Sequence, residues 1–418
     1  MIEPTGKCSP VTPKADATSD LKHYEQQVND RKLSSSAPAI DDRLLPENAA
    51  SLPLAWRKIS RSDAEIFSTT TTDLESILPA LLIDSFVLMP IHPLSEDRYP
   101  TEELIYSGHI QFSASYRTVF YEPECGGILF DWIPDGMVLM FKLSLEDPLP
   151  GIPGDRRLTR EKIEKCILVS DALPLELTND PLVHKFEVVP EFLGISSKDS
   201  GAIFRLLQAS GVLPVFSLYS TDRTKPAEPP LIVRRLQEIY GGDSAKKATE
   251  LGDQLAKPLV QALFAGFRVG FAMEMHAQNT LFSLGEKCLF DRVYFRDMEG
   301  VVFSNKFRID NGLQPLFSNH SNSELFWEGE SMRRWFNRNL DHDLGRIFRC
   351  AVDVLLKYGV IDSREKIRAI ASIRHTVRQA INSAELQALS WPGQFLPFSR
   401  APWGNGLRPG DYFSTRFR

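Results

Sequence analysis

Glu274, His276, Gln278 and Asn279 lie close together in Gly270–Phe282, a segment otherwise built largely of Phe, Met, Ala and Leu. An acid, an imidazole and two amides in such a setting suit an anionic ligand, a metal ion, or both, since clustered titratable groups tend to mark sites. A second segment, Arg292–Gly300, places the charged pair Arg296–Asp297 at the end of an apolar run. Between the two, Leu284-Gly285-Glu286-Lys287 is a turn signal. We therefore expect two strands joined by a short loop, with their charged ends near each other. Strand alternation would send Glu274, His276 and Gln278 to one face and Met275, Ala277 and Asn279 to the other. The plainer reading makes His276 a satisfied core histidine and pairs Glu274 with a nearby arginine.

A further set of polar groups lies upstream. Ser115, Arg117 and Thr118 follow an alternating run that starts at His109. Hydroxyls donate to phosphate oxygens, and a guanidinium binds phosphate or carboxylate through two parallel bonds. Lys142 interrupts the apolar run Met137–Leu145. Lysine is depleted in strands and rarely buried without a partner, so it is either aimed at an anion or turned to solvent. Arg156 and Arg157 precede a helix of basic character, from which a cation could reach an anion. His92, between Pro90 and Pro93, is a ligand contact or a turn histidine.

Asn279 and Asp297 on paired strands resemble the kinase arrangement in which an Asn and an Asp hold magnesium over ATP phosphates. Mg2+ prefers oxygen ligands and shares itself with phosphates, so Glu274, Asn279 and Asp297 are chemically suited to it. The residues point to a site for ATP and Mg2+, with cations left for an anionic second substrate. A small-molecule kinase is one such reading. Against it, the chain has no kinase-type Gly-rich phosphate loop and no catalytic Asp just before Asn279, where position 276 is His.

The elements that must position these groups can be read in outline. Residues 1–50 are polar and rich in Ser, Asp, Lys and Pro, and are expected to form a disordered tail. Thr72-Asp73-Leu74-Glu75 has capping-box form and starts a short helix limited by Pro79. Ser85–Met89, His109–Tyr121, Met137–Leu145, Lys185–Val189 and Val212–Tyr219 read as strands, and Gly201–Gly211 as a helix. Helices are expected at Ile232–Tyr240 and Ala245–Ala265, the latter kinked at Pro258 and stopping at Gly266. Beyond Gly300 the pattern is helical, with apolar stripes from Leu344 to Leu355 and from Ile370 to Ile381. The last residues, from Trp391, read as an irregular wrap.

Composition bounds the function. With 418 residues, a net charge of −6 and 43 % hydrophobic content, the chain can bury a large core and carries no broad basic footprint for nucleic acid. The five cysteines have no zinc-ligand spacing and read as thiols of a reducing cytoplasm. No stretch reads as a signal core or a membrane span.

Glu274-Met-His276-Ala-Gln278-Asn279 followed by Arg296-Asp297-Met-Glu-Gly300 resembles the signature of the siderophore synthetases that work independently of non-ribosomal peptide synthetases, the aerobactin synthetase family. Its Ser-x-Arg-Thr motif is matched by Ser115, Arg117 and Thr118, and its Lys-Leu-Ser-Leu strand by Lys142–Leu145. The arginine that follows falls on Arg156 or Arg157, and the family's Val-His-Pro segment resembles Ile91-His92-Pro93. Order and rough spacing agree from about residue 85 to 300.

The resemblance implies an α+β cupped-hand fold of palm, fingers and thumb, with a distantly kinase-like hairpin core and a helical C-terminal part. Residues 51–240 would form the fingers-like region and a partial thumb, and residues 241–418 the palm. It implies ATP-dependent adenylation of a carboxylate, usually citrate or a citryl derivative, and condensation with an amine or alcohol in siderophore biosynthesis for iron acquisition. Ser115, Arg117, Thr118 and Lys142 would bind ATP phosphates. Arg156 and His276 would serve the carboxylate and the reacting phosphate, while Gln278, Asn279 and Asp297 would contact nucleotide. Glu274, Asn279 and Asp297 would hold Mg2+. The family's Gly-His-Pro-x-His-Pro-x-x-Lys motif has no counterpart, and Asp147-Pro148-Leu-Pro150 replaces its usual Ile-Thr-Ser. These departures imply a missing part of the thumb and some missing substrate contacts. They leave open a homodimer, a partner synthetase or a non-catalytic relative.

Overall fold

The computed structural model describes residues 19–29, 41–123, 133–147, 156–178, 185–198, 200–208, 210–320 and 338–383. Its strands, in chain order, are β1 (Leu52–Ser60), β2 (Glu65–Ser68), β3 (Leu82–Ile83), β4 (Phe86–Pro90), β5 (Leu104–Ser113), β6 (Ser115–Glu122), β7 (Met137–Leu143) and β8 (Phe186–Val188). They continue with β9 (Glu191–Ser197), β10 (Ser200–Gln208), β11 (Val212–Pro214), β12 (Phe271–Ala272), β13 (Thr280–Ser283), β14 (Arg292–Phe295) and β15 (Val302–Phe303). The helices that matter most are α1 (Ser19–Gln27), α2 (Leu74–Leu81), α3 (Arg160–Leu177), α4 (Leu231–Tyr240), α5 (Ser244–Leu251) and α6 (Lys257–Arg268). Two more, α7 (Gly345–Lys357) and α8 (Ser363–Ile381), follow the second sheet.

Nine strands form one antiparallel sheet in the order β2-β9-β10-β7-β6-β5-β1-β4-β3. Alternation along β7 explains its two faces. Leu139, Phe141 and Leu143 join Trp56, Val119, Tyr121 and Phe204 in one apolar cluster, whereas Met140 belongs to another, with Phe120, Leu21 and Leu281. Trp56 meets Tyr121 and Phe141 edge to face, and its indole N–H donates to the Ser107 carbonyl at 2.9 Å.

A second, four-stranded sheet runs β11-β13-β14-β8, and β12 pairs with β15. Thr280 lies opposite Phe295 and Ser283 opposite Arg292, which is the antiparallel hairpin expected around the Leu284–Lys287 turn. The helical part packs on this sheet through one large core that includes Leu259, Phe267, Phe271, Phe303, Phe348 and Ile373.

Several expectations change. His109–Tyr121 is not one strand but parts of β5 and β6, which turn back at Ala114 with Ser113 opposite Ser115. The turn has no Gly, Pro or Asn to announce it. Gly201–Gly211 is not a helix: β10 runs through it, paired on both sides by β7 and β9, so tertiary pairing overrides the local pattern. Asp73, not Thr72, caps α2 by accepting from the Ser76 amide. The long helix is interrupted just before Pro258 by a π-helical turn, Gly252–Ala256, and continues past Gly266 to Arg268. Within the expected tail, α1 is a helix whose Leu21 and Glu25 are fully buried, and Pro46–Asn48 forms a short 3-10 turn. The irregular wrap expected from Trp391 lies outside the described residues.

Candidate functional site

The hairpin delivers the turn Asp297–Gly300 to the face of the large sheet that carries Lys142. Lys142 is 3 % exposed and opposite Thr118 in register, and its ammonium pairs with Asp297 and, at 2.8 Å, with Glu299 Oε2. Arg117 Nη2 donates to the same Glu299 oxygen at 2.8 Å, and its Nη1 donates to the Arg156 carbonyl at 2.8 Å. Ser115 Oγ accepts from the Arg117 amide at 3.3 Å. Ser115, Arg117, Thr118, Lys142, Arg156 and Asp297 are therefore gathered into one neighbourhood, although they span more than 180 positions of the chain.

The turn is held from every side. Asp297 has φ +81°, a left-handed conformation that a non-glycine residue keeps only where its surroundings over-determine it. The Met298 amide donates to the buried Glu191 carboxylate at 3.3 Å, and Glu191 also pairs with buried Arg205 on β10. From α3, Lys165 donates to the Glu299 carbonyl at 2.8 Å and Lys162 approaches Glu299 Oε1 at 3.7 Å. A Cβ on Gly300 would stand 3.0 Å from Glu274 Oε2, so glycine lets Glu274 lie against the turn. Burial would raise the Asp297 carboxyl, but Lys142 and Arg205 outweigh it and hold the group at about 2. Glu299 is held well below its usual range against the same burial by Arg117, Lys142 and Lys162.

The segment 273–279 departs from the expected strand. It is a series of tight turns: the His276 amide donates to the Glu274 carbonyl at 2.9 Å and the Asn279 amide to the His276 carbonyl at 3.0 Å. His276 Nδ1 accepts from the Gln278 and Asn279 amides, both at 3.3 Å, so the imidazole caps its own turn. Glu274 pairs with Arg338 at 3.3 Å, and Asn339 Oδ1 accepts from the Met275 amide. The alternating-face argument therefore does not describe Glu274, His276 and Gln278.

Gln278 ties this segment to the large sheet by donating from Nε2 to the Ala114 carbonyl at 2.8 Å. Arg296, 3 % exposed, donates to the Gln278 carbonyl and pairs with Glu25 of α1, whose other oxygen accepts from the Ala114 amide at 2.9 Å. Glu25, Ala114, Gln278 and Arg296 thus close one buried network directly beside Asp297. His92 is also structural: Nδ1 accepts from the Leu94 amide, and Nε2 donates to the Tyr116 carbonyl at 2.7 Å, steadying the strand that carries Arg117.

Glu299, Glu191, Arg205, Lys162, Lys165 and Glu25 were not among the expected site residues. Glu299 stood inside the quoted Arg-Asp-Met-Glu-Gly run, and a second acid two positions from Asp297 was a usable signal. Nothing local marks Glu191 or Arg205, whose meaning lies in strand register.

A divalent cation fits the donor chemistry in a limited way. Among the described residues no group of three His, Cys, Asp or Glu side chains is arranged as a metal cage. Asp297 and Glu274 supply hard oxygens beside the cationic cluster, which is what Mg2+ shared with phosphates needs. Lys142 already engages one Asp297 oxygen.

No family model matches the sequence, and no curated protein resembles it at a meaningful level. Solved structures do. ATP-bound aerobactin synthetase IucA from a hypervirulent pathotype of Klebsiella pneumoniae is similar at TM-score 0.64 and 17 % identity, over 88 % of this chain and 70 % of that one. Aerobactin synthetase IucC from the same pathotype gives 0.56 and 16 %, over 84 % and 66 %. The petrobactin biosynthesis protein AsbB from Bacillus anthracis gives 0.55 and 14 %, over 81 % and 64 %. The chain thus spans about two thirds of these neighbours. Its fold is that of the siderophore synthetases, the α+β architecture that the motifs implied.

Proposed function

We propose that the protein is an ATP-dependent ligase that adenylates a carboxylate, of citrate or a citryl derivative, and condenses it with an amine or alcohol in siderophore synthesis. The observation that carries this reading is the convergence of Arg117 and Lys142 of one sheet on the Asp297–Glu299 turn of another. Such a cluster neutralises charge where a phosphate must be attacked, and preorganised cations stabilise the transition state without a protein nucleophile. The likeness of fold to a synthetase solved with ATP supports the same reading.

In this scheme Ser115, Arg117, Thr118 and Lys142 bind the phosphates. Arg156 and His276 orient the carboxylate, and Gln278, Asn279 and Asp297 contact nucleotide. A carboxylate oxygen attacks the α-phosphorus and pyrophosphate leaves. The amine or hydroxyl then attacks the acyl carbon, losing its proton, and AMP leaves. Glu274, Asn279 and Asp297 would hold Mg2+, which supplies charge neutralisation on the phosphate oxygens when bound. The setting is a reducing cytoplasm, in keeping with Cys166, Cys288 and Cys350 as free thiols.

The test is the nucleotide product across a panel of carboxylates and amines. AMP with pyrophosphate is expected, and His276→Ala or Arg117→Ala should abolish its formation. ADP would make the protein a kinase. A second reading, binding without turnover, is favoured by the carboxylates that already neutralise Arg117 and Lys142. ATP binding seen by calorimetry with neither AMP nor ADP formed would select it.

A further inference from the structure

Glu299 lies among three cations. Its Oε2 accepts from Arg117 Nη2 and pairs with Lys142 Nζ, each at 2.8 Å, while Oε1 lies 3.7 Å from Lys162 Nζ. These cations come from β6, β7 and α3, and they meet nowhere else than on this one carboxylate among the described residues. The side chains differ in exposure in a telling order: Lys142 3 %, Arg117 10 %, Lys162 15 %, Glu299 20 %. The carboxylate is thus more open to solvent than the cations it neutralises. A phosphate or carboxylate approaching Arg117 and Lys142 meets Glu299 first.

The backbone and the side chain of Glu299 are held differently. Its carbonyl is fixed by Lys165 and the preceding amide by Glu191, so the turn stays in place whatever the side chain does. The side chain is held by charge-assisted bonds from Arg117 and Lys142, groups that bind a phosphate oxygen equally well. It can rotate off the cations while the turn remains.

We propose that Glu299 is a resident counter-anion whose side chain competes with the incoming polyanion for Arg117, Lys142 and Lys162, and so sets the affinity threshold of the site. This rests on reading that cluster as an anion site, but not on the ligase chemistry. Physically, a ligand that binds only after Glu299 has swung away has its affinity reduced by the fraction of molecules in which it has done so. Ligands with many oxygens overcome that factor, whereas singly charged anions do not. A buffered site of this kind would remain empty of chloride and inorganic phosphate and still admit a triphosphate.

The competition makes a quantitative demand. Removing the resident carboxylate must tighten every anion that uses these cations by one common factor, because the same side chain leaves each time. Mere loss of a nearby negative charge would instead tighten ligands more as their own charge grows. The experiment is calorimetric titration of the full chain with inorganic tripolyphosphate and with pyrophosphate, for the wild type, Glu299→Gln and Glu299→Asp. Glutamine is expected to tighten both ligands by about tenfold, with equal ratios. Aspartate keeps the charge but loses a methylene of reach, so it should also tighten both, by about threefold. The proposal is overturned if glutamine leaves binding unchanged or weakens it in a folded protein, or if the gain scales with ligand charge. It is equally overturned if neither variant folds, since Glu299 would then be a structural counter-ion. Turnover is not the readout, so an absence of ligase activity would sink the functional reading while leaving this one standing.

Discussion

Phe141 and Lys142 are neighbours on β7 and live in opposite worlds. Phe141 points into aromatic packing, 5.6 Å from the Trp56 ring and 4.8 Å from Phe204, all within one sheet. Lys142 points at carboxylates that arrive from more than 150 positions further along the chain. The aromatic side is satisfied by any apolar partners of suitable volume. The ionic side is satisfied only if one particular turn is delivered to one particular spot, and the twofold alternation of a strand lets a single segment serve both demands.

The sharpest way to break that contrast is on the ionic side. Lys142→Met should cost about 3–4 kcal/mol, because it strips a principal cation from two half-buried carboxylates, and should abolish ATP binding. Urea unfolding and calorimetry would read the two effects. Phe141→Ala is expected to cost a similar amount, about 3–4 kcal/mol, through cavity formation, with ATP affinity in the folded fraction unchanged. If instead Phe141→Ala lost ATP affinity, the two faces would not be separable.

His92, bonded to the Tyr116 carbonyl beside Arg117, gives a pH test. Burial holds its imidazole down at about 4 despite the Tyr116 carbonyl, against 6.5 in the unfolded chain. Between those values the unfolded chain binds a proton that the folded chain refuses, so stability is full above pH 6.5 and falls as pH drops toward 4. The loss is about 3 kcal/mol across that window. His92→Asn, which keeps a helix-capping side chain, should flatten the difference between urea midpoints at pH 7 and pH 4.5. The smallest expected effect is Gly300→Ala. Its methyl would press on Glu274, costing about 1 kcal/mol and moving the 274–279 segment, visible as a weaker ATP affinity rather than a large change in unfolding midpoint.

What the residues announced and what they hid follows the same division. Short motifs pointed to this neighbourhood: Arg117 and Lys142 could be picked out because charge inside an apolar strand is rare, and Asp297 because it follows an apolar run. The hairpin at 280–295 was legible from its turn. The segment 273–279 misled because Met273 and Met275 are buried while Glu274 and His276 are half-exposed, an alternation that turns as well as strands can produce. The strand at Gly201–Gln208 misled because pairing with β7 and β9, not local pattern, decides it. Helix α1 was hidden by composition: its surroundings are polar, and the reason for its order, Arg296, lies far away. Glu299 could be seen but not understood until Arg117, Lys142 and Lys162 were found around it.

The bond between Glu25 and Arg296 joins residues 271 positions apart. A ribosome makes the first of them long before the second. Helix α1 can meet the strands around Phe112 and Ala114 early, but its tie to Arg296 must wait, because contacts of such separation form late. An element translated early thus becomes a late clasp, and the Asp297–Gly300 turn beside Arg296 is fastened only after 271 further positions have been made.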